Sequence, residues 1–246
     1  MIKLRLPDCP AQLSEERTAL TAEYQADNTK SVWGKPYIKK AVAAISNNKC
    51  IYSECQLNSE STYMEIDHFY PKGIYPDKVV EWGNLLPCCK KCNTTKNALD
   101  PQAIPIINPL VDTPKDYLYL LKSRYYSRNE KGKNTIDNLA LNNREHFCNP
   151  RSILSLKIME ELEDLLEQSK TINWEELNTK RTRFINSLKG IMELGQPNSA
   201  YSANNATTIL EDPSFERLKS LLQHHELWDV ELTDLEKMIN ECALLR

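Results

Sequence analysis

The sequence predicts a mainly α-helical α+β protein in which a small cysteine-stapled module of strands is embedded between helices. Three observations carry that prediction: helical patterns before residue 48, two close cysteine pairs between residues 50 and 92, and long amphipathic patterns after residue 151. The expected organisation is an N-terminal helical region over 1–48, the cysteine module over 49–101, and a connection followed by a C-terminal helical region over 102–246.

Each element has a local reason. SEERTALTAEYQ offers Ser14 as an N-cap with acidic residues in the first turn, and PYIKKAVAAISNN has Pro36 at a helix start and Asn47-Asn48 at its end. TYMEIDHF alternates and is rich in strand formers. WGNLLP offers a second strand bounded by Gly83 and Pro87, and NTTKNAL after Cys92 suits a short helix closed by Pro101. The expected order in the module is strand, loop, strand, helix.

Beyond Pro101, QAIPIINPLVDTPKDYLYLL is a proline-punctuated connection and RNEKGKN reads as an exposed turn. SLKIMEELEDLLEQ puts Ile158, Leu162, Leu165 and Leu166 on one face, and WEELNTKRTRFINSLKGIMEL repeats the pattern. TDLEKMINECALLR opens with the capping box Thr233-x-x-Glu236, whereas NSAYSANNATT reads as a loop by composition.

Composition narrows the function. A formal net charge of -3 argues against holding nucleic acid by bulk electrostatics, so a local patch or a partner must supply attraction for such a substrate. The apolar runs are far shorter than the roughly 20 residues a bilayer requires, which predicts no membrane partner. Asp8 and Pro10 interrupt the start where a signal peptide needs an apolar stretch, and the expected location is cytoplasmic.

Cys50-x4-Cys55 and Cys89-x2-Cys92 each have the spacing that lets one tight turn present two thiolates to a tetrahedral ion. Four soft ligands favour structural zinc, which a segment too small for its own core needs as a staple. Cys88 is an alternative to Cys89. Cys9, Cys148 and Cys242 lie outside the cluster and read as inert thiols.

Within the staple, Asp67-His68 ends the first expected strand, and Asn84 and Asn93 follow downstream. Asp67-His68, Trp82-x-Asn84-Leu85 and Cys89-x-x-Cys92-Asn93-x-x-Lys96 together resemble the HNH endonuclease family, whose ββα-metal core binds one divalent ion. DHFYPKGIYPD followed by EWGNLLPCCKKCNTTK is similar, more narrowly, to the HNH subunit of Septu-type antiphage systems, including those attached to retrons. The start MIKLRLPDCP, Trp33-Gly34 and INPLVDTPKDYL agree with that subfamily, so the likeness covers most of residues 1 to 160.

The resemblance implies that His68 is the general base, that Asp67 and Asn93 hold a catalytic Mg2+ or Mn2+ ion, and that Asn84 holds the loop between the strands. It also implies a companion ABC-class ATPase, docked through the flanking helices, that gates the nuclease and contributes nucleic-acid affinity. The chemistry suits these residue types: a neutral imidazole takes a proton from water, and a hard, oxygen-ligated ion stabilises charge at the scissile phosphate.

Asn93 and Lys96 are three apart on the expected helix, which aims Lys96 at a phosphate, and Lys72 is a second phosphate contact; ordinary solvated charge is the alternative for both. Glu65 shares the strand face of Asp67, and Trp82 reads as core. DYLYLLKSRYYSRNEKGK mixes Tyr with Lys and Arg, and is read as a solvated strand pair ahead of a nucleic-acid groove. The first cysteine pair is spaced by four rather than the commoner two, which weakens the assignment of Cys55.

The function expected is metal-dependent hydrolysis of phosphodiester bonds, with DNA preferred. Two alternatives stand beside it: the same nuclease acting on RNA such as tRNA, and a noncatalytic zinc-binding adaptor that is indifferent to His68→Ala.

Overall fold

The computed structural model describes residues 1–57 and 63–246; Thr62, the first residue of the expected strand TYMEIDHF, lies outside them. The chain divides into two compact units. One takes in Met1, Lys3–Leu118 and Tyr126–Asn143, and the other Ile2, Tyr119–Tyr125 and Arg144–Arg246. The fold is mainly helical α+β with two small sheets, as the sequence predicts.

In the first unit, α1 (Ala11–Ala26) starts a turn earlier than Ser14, because Pro10 sets the entry backbone and its carbonyl accepts from the Ser14 N–H at 3.0 Å. Helix α2 (Pro36–Ile45) begins at the expected proline and buries Ile38, Val42, Ala43 and Ile45. Asn47 and Asn48 then take left-handed backbone, at φ 54 and 59, which asparagine tolerates better than most residues.

Strand β1 (Met64–His68) pairs antiparallel with β2 (Leu85–Cys89), in a register running from Met64 opposite Cys89 to His68 opposite Leu85. The expected second strand is displaced: Trp82–Asn84 is a short 3-10 turn, and the strand begins after it and runs through Pro87. Proline is admitted there because it only has to accept, and its carbonyl takes the Ile51 N–H at 2.9 Å. Helix α3 (Lys90–Lys96) carries Cys92 within it rather than starting after it, and Asn97, at φ 48, ends it.

Strands β3 (Leu118–Leu121) and β4 (Arg124–Ser127) form the second sheet, the strand pair expected from DYLYLLKSRYYS. Lys122 and Ser123 turn between them at φ 48 and 60, the paired left-handed conformation of a tight hairpin. The RNEKGKN stretch is no free turn. It contains the start of α4 (Glu130–Asn138), capped by the Asn129 side chain on the Gly132 N–H at 3.0 Å. A Cβ at Gly132 would meet the Tyr117 carbonyl oxygen at 2.2 Å, so glycine here marks close backbone approach rather than a loop.

The second unit is built from α5 (Asn149–Ser169), α6 (Thr179–Glu193), α7 (Ser202–Glu211), α8 (Pro213–His224) and α9 (Val230–Cys242). Helix α5 buries Ile158, Leu162 and Leu165, with Leu166 half-buried at the edge of that face. Much of the expected loop NSAYSANNATT is the start of α7. Asn204 Nδ2 donates to Ser155 Oγ (3.0 Å), and Asn205 Nδ2 donates to the carbonyls of Leu194 (2.9 Å) and Ala200 (3.1 Å). Helix α9 is capped by Asp229 on the Leu232 N–H at 2.8 Å, a turn ahead of Thr233, while Glu236 pairs with Lys219 at 2.5 Å. No helix among the described residues is long and apolar enough to cross a membrane.

Candidate functional site

The cysteine loop closes on itself: the Cys50 N–H donates to the Cys55 carbonyl, and the Glu54 N–H to the Cys50 carbonyl, both at 2.9 Å. Glu54 takes φ 62 to complete the turn. Cys89 ends β2 and faces this loop. The sulfurs of Cys50, Cys55 and Cys89 lie within 4.8 Å of one another, a group able to hold a metal such as zinc. Cys88 and Cys92 are buried as well, but Cys92, expected as a ligand ahead of Cys55, stands outside that trio.

Proton affinity differs from one cysteine of the cluster to the next. Burial opposes ionisation of Cys50, but hydrogen bonds from Cys55, Cys88, Cys89 and Cys92 outweigh it and hold the group well below its ordinary range. At Cys89 the bond with Cys50 pushes the pKa up, and those from Cys55, Cys88 and Cys92 prevail, bringing it down to about 4. Cys55 is pushed up first by its bond to Cys50, and Cys88 and Cys92 first by burial. Concentrated negative charge on soft donors fits a thiophilic cation.

A cleft of about 950 Å³ opens beside β1 and α3, and Trp33, Glu65, Asp67, His68, Lys72 and Asn93 are among the residues lining it. His68 is buried, with Nε2 2.8 Å from the Val79 carbonyl oxygen. A carbonyl only accepts, so Nε2 carries the proton and Nδ1 the basic lone pair. Burial pushes the imidazole down to about 4, against the opposing pull of the Val79 bond and the Asp67 charge, so the ring is neutral at pH 7.

Asp67 is 3% exposed and held on both oxygens: the Tyr52 hydroxyl donates to Oδ2 at 2.7 Å and Lys96 Nζ to Oδ1 at 2.9 Å. Lys96 also donates to the His68 carbonyl at 2.8 Å. The structure thus turns Lys96 inward, at 2% exposure, where the helix spacing aims it at a phosphate; the buried carboxylate draws it in. Burial and the Asp67 charge together raise the Tyr52 hydroxyl well above its ordinary range.

Asn93 is brought to Glu65 rather than to Asp67, its Nδ2 donating to Glu65 Oε2 at 2.8 Å. Asn84 sits inside the loop that joins the strands. Its Oδ1 accepts from the Tyr70 N–H (2.7 Å), and its Nδ2 donates to the carbonyls of Tyr70 (3.1 Å) and Lys78 (2.9 Å). Lys72 stays at the cleft with Nζ 5.0 Å over the Trp33 ring, and Trp82 is buried with Nε1 on the Pro7 carbonyl at 2.8 Å.

Sequence reasoning misses Tyr52, whose place between Cys50 and Cys55 reads as filler until the staple brings it to Asp67. It also misses the packing of Trp33 on His68, which no spacing signals.

No protein-family model matches the chain, and no solved structure does. The chain is 41% identical over 233 residues to the Septu protein PtuB of Bacillus thuringiensis, covering 94% of this chain and 90% of that protein. It is 30% identical over 141 residues to the Septu protein PtuB of Bacillus mycoides, covering 44% of this chain and 48% of that one. Fold and site define a mainly helical α+β protein with a thiol cluster able to bind a metal, set beside a cleft of polar side chains. The chain belongs to the Septu PtuB family.

Proposed function

We propose that the protein is the metal-dependent endonuclease of a Septu-type antiphage defence complex, cutting nucleic acid, DNA before RNA, through an HNH-type site. The observation that carries this reading is His68: a neutral imidazole whose Nε2 is tied to a backbone carbonyl, which reserves Nδ1 as a base beside the oxygen donors of the same cleft.

Cys50, Cys55, Cys89 and Cys92 hold structural zinc in this reading. Asp67 and Asn93, with Glu65 beside Asn93, supply hard oxygen donors that would hold Mg2+ or Mn2+. The fit survives the occupied oxygens of Asp67, since a carboxylate has about four lone-pair sites and Tyr52 and Lys96 use two. The ion, when bound, supplies charge stabilisation at the scissile phosphate and leaving oxygen.

His68 Nδ1 takes the proton from the attacking water. Asn84 keeps the intervening loop closed so that the Val79 carbonyl stays on the imidazole. Lys72 offers a cation to substrate phosphates. A net charge of -3 leaves the remaining affinity to a local patch or a partner, and the family resemblance implies that the partner is an ABC-class ATPase subunit of the same system.

The test is Mg2+-dependent cleavage of plasmid DNA and of total tRNA by the protein with its ATPase companion, comparing wild type with His68→Ala. Cleavage is expected to fall about 10²- to 10⁴-fold in the variant while zinc is retained. Equal cleavage by both proteins, or none by either with any divalent metal, favours the noncatalytic zinc adaptor instead.

A further inference from the structure

Trp33 lies far from His68 in sequence, in the short 3-10 turn Val32–Gly34 between α1 and α2, yet it lines the same cleft. Its ring meets the His68 imidazole edge to face, with centroids 4.8 Å apart and planes at 88°. The indole is itself clamped. Lys72 Nζ stands 5.0 Å over it, and Tyr24 of α1 meets it edge-on at 6.0 Å and 72°.

A histidine ring held at one nitrogen can still swing about that hydrogen bond. The Val79 carbonyl selects the tautomer, but one bond leaves the tilt of the ring, and so the aim of Nδ1, undetermined. An aromatic wall perpendicular to the imidazole removes that freedom, because edge-to-face geometry has a preferred angle. Trp82 supplies the contrast: its N–H is bonded to the Pro7 carbonyl and its ring is buried, as a core tryptophan requires. Trp33 is half-buried, at the cleft, and against the base.

We propose that Trp33 is a positioning residue for His68, with Tyr24 and Lys72 holding the indole so that the indole holds the imidazole. The proposal deepens the nuclease reading and rests on it. The N-terminal helical segment thereby becomes part of the site: the base is aligned only when the turn between α1 and α2 is in place.

The experiment compares Trp33→Leu and Trp33→Phe with wild type, each in complex with the ATPase companion and each assayed for bound zinc. Trp33→Leu is expected to lower kcat about 10- to 100-fold, as a small misplacement of a reacting group does, with KM little changed, and Trp33→Phe to restore most of the loss. Carbon NMR relaxation of the His68 ring gives a readout independent of cleavage. The ring is expected to be rigid in wild type and Trp33→Phe and to gain motion in Trp33→Leu, with the Nε2–H tautomer set by the Val79 carbonyl unchanged in all three.

A leucine variant with wild-type kcat and a ring as rigid as wild type overturns the proposal, as does a KM increase without a change in kcat. Should the leucine variant lose zinc, the phenylalanine variant decides alone: near-wild-type kcat with a rigid ring supports positioning, and a loss as large as that of His68→Ala overturns it. If the wild-type complex cuts nothing, the nuclease reading fails, and the ring-mobility comparison still decides whether Trp33 sets the ring.

Discussion

The two units differ in the charges they bury. The first buries the ionisable side chains Lys49, Glu54, Asp67, His68 and Lys96 around the cysteine loop and the cleft, beside hydroxyls and amides such as Ser53 and Asn84. The second, apart from Arg151, buries hydroxyls and amides: Ser123, Ser155, Ser169, Ser202, Asn204, Asn205 and Thr207. Neutral groups need only hydrogen bonds, and α5 and α7 supply them, with Ser155 Oγ 2.9 Å from Ser123 Oγ and 2.8 Å from Thr208 Oγ1. Buried charges need counter-charges as well, and Lys96 and Asp67 supply them to each other at 2.9 Å. The contrast separates a unit that buries charges beside a cleft from one whose buried polar groups are, Arg151 apart, neutral.

Metal removal tests that contrast most severely. If the thiol cluster holds zinc as proposed, Cys50→Ser, or stripping with a strong chelator, takes a ligand or the ion from it, and structural zinc sites in small modules are worth on the order of 10 kcal/mol. The expected result is loss of protection from proteolysis around residues 49–101 while the helices from α5 to α9 keep theirs. Simultaneous loss in both units would erase the distinction.

A smaller effect is expected from Lys96→Met, which leaves Asp67 with one donor and an uncompensated buried charge. The cost is about 3–5 kcal/mol in urea unfolding, and adding Asp67→Asn should recover part of it. If Lys96→Met is neutral, the buried pair is not what holds β1 to α3.

The smallest expected change comes from the second unit. Asn204→Ala removes one donor each from Ser155 and the Arg151 carbonyl and should cost about 1–3 kcal/mol, with cleavage unaltered. An activity loss at unchanged stability would draw the second unit into the chemistry.

What the sequence makes legible follows from range. The strand before His68 and the proline that opens α2 are local signals, and they stand where the residues indicate. The cysteine spacing likewise anticipates Cys50, Cys55 and Cys89 converging, although it ranks Cys92 ahead of Cys55, and Cys55 is the one in the trio. The inward turn of Lys96 is not legible, because helix spacing gives a shared face but not the carboxylate that face meets. Helix α7 escapes for a related reason: Ser, Asn and Thr compete for backbone hydrogen bonds in isolation, and only partners on other segments convert Asn204 and Asn205 into buried helix residues.

The register of β1 on β2 has a consequence for how the gene can vary. Alternation places Glu65 and Asp67 on one side and Ile66 and His68 on the other, with Asp67 opposite Leu86 and His68 opposite Leu85. Losing or gaining one codon within β1 would exchange the two sets and bring apolar side chains to where the carboxylates stand. The intervening segment is under no such rule near Gly73, where an added Cβ meets nothing within 4 Å. Length differences between natural copies should therefore collect around Gly73, between the Tyr70 and Lys78 contacts of Asn84, and be absent from the pentapeptide Met64–His68.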